Sequence, residues 1–318
     1  MSTVRDTPSS RLDDAARAGW LYYVAGNTQD QIAAKLGVSR QSAQRLVSLA
    51  VSEGLVKVRI DHPIANCLEL AARLRDRFGL DLVEVVPSDP GSGSTTLGVA
   101  EAAAAEIEKR LSSPEPIVMA LGTGRTLKAA IEKLPAMECR QHKVVSLTGN
   151  IAPDGSAALY NVVFTMADKV KSRSFPMPLP VIASSPEERE LLHGQELIRA
   201  TMTLAAQADV TFVGVGDLGP EAPLYQDGFI SKDELVALSK AGAVAEIVGW
   251  AFDSKGRPVE DVINDRVAST PIPSRDSSEV IALAMGERKL PGIFAAVSGR
   301  LVNGLITDER TAAALLAM

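Results

Sequence analysis

The chain has 318 residues, enough for a sizeable core and more than one domain, with the 46% hydrophobic and 23% charged residues of an ordinary globular protein. No apolar run reaches the roughly 18 residues that would span a membrane, MSTVRDTPSSRLDD has no apolar core behind its charges as a secretory leader would, and Cys67 and Cys139 form no CxxC pair, so two reduced thiols in a cytoplasm are expected. The net charge of −6 is uneven: residues 1–60 carry eight Lys+Arg against five Asp+Glu and the remainder 25 against 34, so the head alone suits a polyanion.

RLDDAARAGWLYYVAG (residues 11–26) predicts a supporting helix ending at Gly26, with Trp20, Leu21 and Val24 assigned to the core. Thr28 followed three residues later by Gln31 is a capping box, so a second helix starts there and buries Ile32, Ala33 and Leu36. Gly37 gives the freedom for a tight turn, and Ser39 caps a third helix. Ala43, Leu46, Val47 and Ala50 of that helix share one side; Arg40, Gln41, Gln44 and Ser48 lie largely on the other. The polar side fits a recognition helix in the major groove, where Arg pairs with guanine and Gln with adenine. Arg45, beside the inward Leu46, suits a phosphate or structural contact. LVKVRI (residues 55–60) alternates apolar and basic residues as a short β-wing would, placing Lys57 and Arg59 near the DNA backbone. Residues 1–60 are therefore expected to form a winged helix-turn-helix on double-stranded DNA, with Thr28 and Ser39 counted among its contacts. Aromatic residues, 4% of the chain, do not alternate with basic ones here, which argues against a single-strand or RNA platform.

From residue 61 to 318 helical and strand patterns alternate. ANCLELAARLRDRFGL predicts a helix, DLVEVVP a strand, PSDPGSGSTT a loop, and TTLGVAEAAAAEIEKRL a helix. PIVMAL, KVVSL and DVTFVGVG are buried strands, and GRTLKAAIEKL is another helix. The last stretch, VIALAMGERKLPGIFAAVSGRLVNGLITDERTAAALL, reads strand, loop, helix, strand, helix. This is an α/β, doubly wound and mostly parallel sheet, whose ligands bind at the carboxyl ends of strands near a switch in strand order. Gly-rich turns at 122–124, 149–155 and 214–219 fall at those ends. Within GTGRT, Gly122 and Gly124 permit close approach of amides, Thr123 and Thr126 offer hydroxyls, Arg125 adds charge, and a helix N-terminus follows. It is neither a Walker A loop nor a GxGxxG dinucleotide fingerprint, and short Gly-rich turns of this kind also occur without a ligand. Lys289 falls just past a strand, placed either to meet the same anion or to be solvated. Glu246 and Asp253 are acids in an apolar segment, suited either to accept sugar hydroxyls or to cap a turn.

A winged helix-turn-helix followed in order by ALGTGRT, GVGD, GAVAEIVGWAFD and NGLITDERTA resembles the SorC-type bacterial sugar-binding transcriptional regulators over nearly the whole chain. LTGNIAPDGSAALYN resembles the branch that regulates sugar-alcohol catabolism. The resemblance implies a ligand domain similar in fold to sugar-phosphate isomerases, a sugar, polyol or sugar-phosphate effector, no cofactor, and a homodimer or homotetramer on operator DNA. It implies a phosphate loop of Gly122, Thr123, Gly124, Arg125 and Thr126 with Lys289 as the cation, a second loop with Gly149 and Asn150, and a third with Gly214, Gly216 and Asp217. Asp154, Asn161, Glu246 and Asp253 are assigned to the same effector site. Thr148 stands where some members carry Lys or Arg, which argues against Schiff-base capture there. Ala245-Glu246 stands where Gly-Asp is common, and Trp250 where Arg is.

The rival expectation is an active sugar-phosphate isomerase or deaminase with a DNA-binding head, which needs a positioned base. His62, His142 and His193 fall in the linker, before a strand and at a helix end. GVGDLGPEAPL lacks the His of the DGH-like segment in the related deaminases, leaving Asp217 and Asp154 as possible bases. With neither a metal-ligand cluster nor a Ser/His/Asp set in view, a regulator that senses its ligand without transforming it is expected.

Overall fold

Strands covered by helices on both faces need apolar residues at successive positions, and the body of this chain supplies them in short runs between amphipathic helices. The computed structural model describes residues 8–56, 64–89, 96–158, 160, 162–260 and 262–318, which fall into two compact units, Met1–His62 and Pro63–Met318.

The first unit contains α1 (Pro8–Tyr23), α2 (Gln29–Leu36) and α3 (Arg40–Ser52). Thr28 caps α2 through the complete reciprocal box with Gln31, and Gly37 ends that helix in the left-handed region at φ 65°. Ser39 accepts the Ser42 amide at the start of α3. Each such cap is worth about 1 kcal/mol. Ala18, Ile32, Ala33, Ala43 and Val47 form the small core, with Leu21, Leu36 and Leu46 packed against it. Trp20 and Val24 correct the expectation: they are 57% and 69% exposed. The inward face of α1 is the small set Ala15, Ala18 and Gly19, which lets the helix lie close on α3, and Trp20 and Val24 project from another side. Of the expected β-wing, residues 57–60, with Lys57 and Arg59, lie outside the described residues, and Leu55 and Val56 are not in a strand.

The second unit begins α4 (Ala65–Phe78), β1 (Leu82–Val86), α5 (Thr96–Leu111), β2 (Val118–Leu121), α6 (Arg125–Lys133), β3 (Lys143–Ile151), α7 (Val163–Val170) and β4 (Arg173–Pro180). It continues α8 (Pro186–His193), α9 (Glu196–Ala206), β5 (Val210–Gly214), β6 (Gly216–Asp217), α10 (Pro223–Gln226), α11 (Lys232–Lys240), β7 (Ala243–Ile247) and β8 (Trp250–Asp253). It closes with β9 (Glu279–Leu283), α12 (Leu290–Ser298), β10 (Gly304–Asp308) and α13 (Glu309–Ala317). Seven strands form one sheet in the order β1-β10-β9-β5-β2-β3-β4, every pair parallel. β6, β7 and β8 make a separate antiparallel layer.

Alternate strand residues serve opposite faces. Ala120, Val145, Val213, Val280, Ala282 and Leu305 belong to one core cluster, whereas Met119, Leu121, Val144, Phe212, Ile281 and Ile306 belong to the other. The chain runs outward from β2 through β3 to β4, then returns to β5 on the other side of β2 and proceeds outward through β9 and β10. The switch point therefore lies between β2 and β5, where the carboxyl ends open a crevice. Cys67 and Cys139 are buried free thiols, and burial, reinforced by Glu309, pushes the Cys67 thiol up to about 11.

Candidate functional site

The crevice at the switch point holds a cavity of about 450 Å³. β2 ends at Leu121 and the chain turns through 122–124 into α6, while β5 ends at Gly214, which lies against the Thr123 carbonyl. Gly124 is the N-cap of α6 at φ 135°, a backbone open to glycine and strained for other residues. The cap has no side-chain hydrogen bond, so the first-turn amides, with the positive end of the helix dipole, remain for an anion. Thr123, Gly124, Arg125 and Thr126 line the cavity; Gly122 does not. A Cβ at Gly122 would stand 2.9 Å from Val248 Cγ1, so this glycine admits the β7–β8 turn to the carboxyl end of the central strand β2.

That turn carries Glu246 into the cavity. Val248 and Gly249 have φ of 50° and 89°, the handedness of a two-residue hairpin turn, and a β-branched residue holds this conformation only under surrounding constraint. Val248 is 3% exposed. The Gly249 amide donates to Glu246 Oε2 at 2.9 Å, and the Glu246 side chain lies across Gly216, its partner on β6. Burial raises the Glu246 carboxyl, opposed by the Gly249 amide and Lys289 and reinforced by Asp217. Lys289 ends a short 3-10 turn, Glu287–Lys289, beyond β9. Burial lowers its ammonium, opposed by Glu246 and Asp217 and reinforced by Arg125 and Arg288. Residues far apart in sequence thus meet: Lys289 lies in the electrostatic field of Glu246, Asp217 and Arg125.

Residues 152–158 and Tyr160 contribute to the same crevice. Ala152, Pro153, Asp154, Ser156, Ala157, Ala158 and Tyr160 line the cavity. Tyr160 is pinned to the turn twice: Thr123 Oγ1 donates to its carbonyl at 2.9 Å and Arg125 Nε to its hydroxyl at 3.2 Å. The Arg125 guanidinium also stands 5.6 Å from the ring centroid. Tyr160 escaped the sequence reading because a lone tyrosine in a loop carries no spacing signal.

Other expected residues lie differently. Gly149 and Asn150 are in β3, which runs on to Ile151 with irregular pairing to β4, so the second turn starts later than expected; Gly149 lines the cavity and Asn150 does not. The Asp154 carboxylate lines the cavity while holding the Ser156 amide at 2.9 Å and hydroxyl at 2.6 Å. Asn161 lies outside the described residues. Gly214, Gly216 and Asp217 line the cavity. Asp253 does not: its carboxylate accepts the Lys255 and Arg257 amides and pairs with the Arg257 guanidinium at 2.8 Å, capping the turn after β8. The histidines also serve the framework. His142 is fully buried, accepting the Ile117 amide and meeting the Leu111 carbonyl at 3.0 Å, and His193 Nε2 meets the Ala268 carbonyl at 2.9 Å; His62 lies outside the described residues. Among the described residues no group of three or more His, Cys, Asp or Glu is arranged to hold a metal, and no helix is long and apolar enough to cross a membrane.

In the first unit, Arg40, Gln41, Gln44, Arg45 and Ser48 form one exposed arc of α3. Arg40 reaches Asp30 of α2 at 3.5 Å. The hydroxyl oxygens of Thr28 and Ser39 are engaged as caps, so these two residues place the helix starts.

Residues 62–317 match the sugar-binding domain family. The chain is 34% identical over 302 residues to the erythritol catabolism regulatory protein EryD of Brucella abortus, covering 95% of this chain and 96% of that one. It is 31% identical over 309 residues to the transcriptional regulator LsrR of Klebsiella pneumoniae, covering 95% and 92%. In fold it is similar to the full-length sorbitol operon regulator SorC of Klebsiella pneumoniae, with a TM-score of 0.71, 24% identity, and coverage of 96% of this chain and 99% of that one. A capped helix-turn-helix, a parallel sheet with a cavity at the switch point, and relatives matched over more than nine-tenths of their length lead to one conclusion: the chain belongs to the SorC-type family of sugar-binding transcriptional regulators.

Proposed function

We propose that this protein regulates a carbohydrate or sugar-alcohol catabolic operon, reading double-stranded DNA with α3 and sensing a phosphorylated sugar or polyol in the switch-point cavity. The observation that carries the reading is the meeting of the uncapped α6 N-terminus and Arg125 with Lys289, Glu246 and Asp217 around one cavity. The amides and Arg125 suit a phosphate; the acids and Lys289 suit a hydroxylated chain. The EryD relative, named for erythritol catabolism, supports the polyol class.

Binding without turnover is the reading the relatives favour. The relatives EryD and LsrR are named as regulators, and Asp154 is held by Ser156, which lowers its carboxyl and weakens it as a base. The heads act in pairs, in a homodimer or homotetramer, on half-sites about one helical turn, roughly 10 base pairs, apart or at multiples of that spacing. The test is a gel-shift assay with a duplex selected from a random library by the wild-type chain. Arg40→Ala with Gln44→Ala removes retardation while leaving calorimetric binding of the phosphorylated ligand intact. Normal retardation by the double variant would refute the assignment.

A further inference from the structure

α1 carries two apolar faces, and only one of them is covered within its own unit. Ala15, Ala18 and Gly19 turn inward, and a Cβ at Gly19 would stand 2.9 Å from the Ala50 Cβ of α3. At about 3.6 residues per turn, Leu12, Ala16, Trp20 and Tyr23 fall on one outward stripe with Val24 at its margin, and all of them are exposed. Apolar side chains scattered singly over a surface are ordinary, whereas a continuous stripe with two aromatics has the composition of an interface core. The unit's own core is small, Ala18, Ile32, Ala33, Ala43 and Val47, and a unit of this size gains from association that buries more apolar surface.

The charges beside the stripe point to its occupant. Over residues 11–24 Arg11 and Arg17 balance Asp13 and Asp14, so this helix offers a polyanion no net attraction. Asp13 and Arg17, one turn apart, border the same edge of the stripe. In an antiparallel helix pair related by a two-fold axis, like edges face each other, so Asp13 meets the partner's Arg17 and Arg17 meets the partner's Asp13. A parallel pair would set that edge against the other one. Ala16, the smallest member of the stripe, lets the two axes cross at close range, and Leu12 then packs against the partner's Trp20.

We propose that the outer face of α1 is a self-complementary interface, on which the heads of two copies of this chain pack antiparallel about a two-fold axis passing near Ala16. The inference rests on the reading that the heads act in pairs, and adds the surface and the order in which they do so. α3 packs on a different face of α1, so the pairing leaves Arg40, Gln41 and Gln44 free to meet two half-sites.

The experiment is disulfide trapping of the full chain, free of DNA and ligand, with light scattering on the same samples. Cys67 and Cys139 are buried and stay silent under mild oxidation. Two copies of a residue at a close helix crossing come within the Cα separation of about 4.4–6.8 Å that a disulfide needs. Ala16→Cys is therefore expected to shift to the dimer band on a non-reducing gel. Asp14→Cys, exposed on another side of α1, is expected to stay at the monomer band. In the Ala16→Cys background, Arg17→Asp sets four carboxylates against one another and is expected to slow trapping, and adding Asp13→Arg reverses the pair and is expected to restore it. A dimer or tetramer in which Ala16→Cys is trapped no faster than Asp14→Cys overturns the inference while leaving the oligomer standing. So does a trapping rate that Arg17→Asp leaves unchanged or that the charge swap fails to restore. A chain that light scattering shows to be monomeric overturns the paired heads and the inference with them.

Discussion

Lys289 is the residue on which the cavity's electrostatics turn. Burial, reinforced by Arg125 and Arg288, lowers its ammonium, and Glu246 and Asp217 oppose that shift. Removing one member of such a set leaves the others uncompensated, which is more damaging than removing the set. Lys289→Ala is accordingly expected to weaken binding of the phosphorylated ligand about tenfold or more and to lower thermal stability. Adding Glu246→Gln in that background recovers part of both, because one of the stranded charges goes with it. Calorimetry and thermal melts of the two variants check this, and strictly additive losses would refute the coupling.

At the scale of elements, Gly124 decides whether α6 can present its amides. A Cβ there meets only open space up to the Gly214 Cα at 4.0 Å, but the φ of 135° is closed to alanine at low energy. Gly124→Ala is expected to cost about 1–3 kcal/mol of stability and to weaken phosphate-dependent binding, because the turn re-forms away from that angle. Melts and titrations resolve the two effects, and unaltered affinity would show that the turn does not hold the anion. Much of this architecture was legible from the sequence. The Thr28–Gln31 capping box, the Gly37 turn and the runs PIVMAL and DVTFVGVG carry local signals strong enough to place their elements. β4 was not legible, because SFPMPLP has prolines at 176, 178 and 180. A two-residue spacing turns all three toward one side of the strand, and only an edge position tolerates that loss of donors. The β7–β8 hairpin was equally hidden: its turn is Val248-Gly249, and a β-branched residue at positive φ is no recognisable turn signal. In the site itself, residues beside glycines could be found by spacing. Tyr160 could not, since its place depends on how the chain beyond β3 folds over the crevice.

At the scale of the whole molecule, the two units serve different chemistries, an exposed arc of Arg, Gln and Ser on α3 and a cavity at the sheet's switch point. A regulator requires that they be linked, and linkage is reciprocal: the ligand can shift DNA affinity only as far as DNA shifts ligand affinity. A ligand of equal affinity for both states shifts nothing. The most direct test is a fluorescence-anisotropy titration of the full chain against its selected DNA duplex, with and without a saturating polyol monophosphate. The account predicts a change in DNA affinity of about 5–150-fold in either direction, lost in Lys289→Ala at the same ligand concentration. Identical DNA affinity with and without a ligand that calorimetry shows to be bound would contradict it.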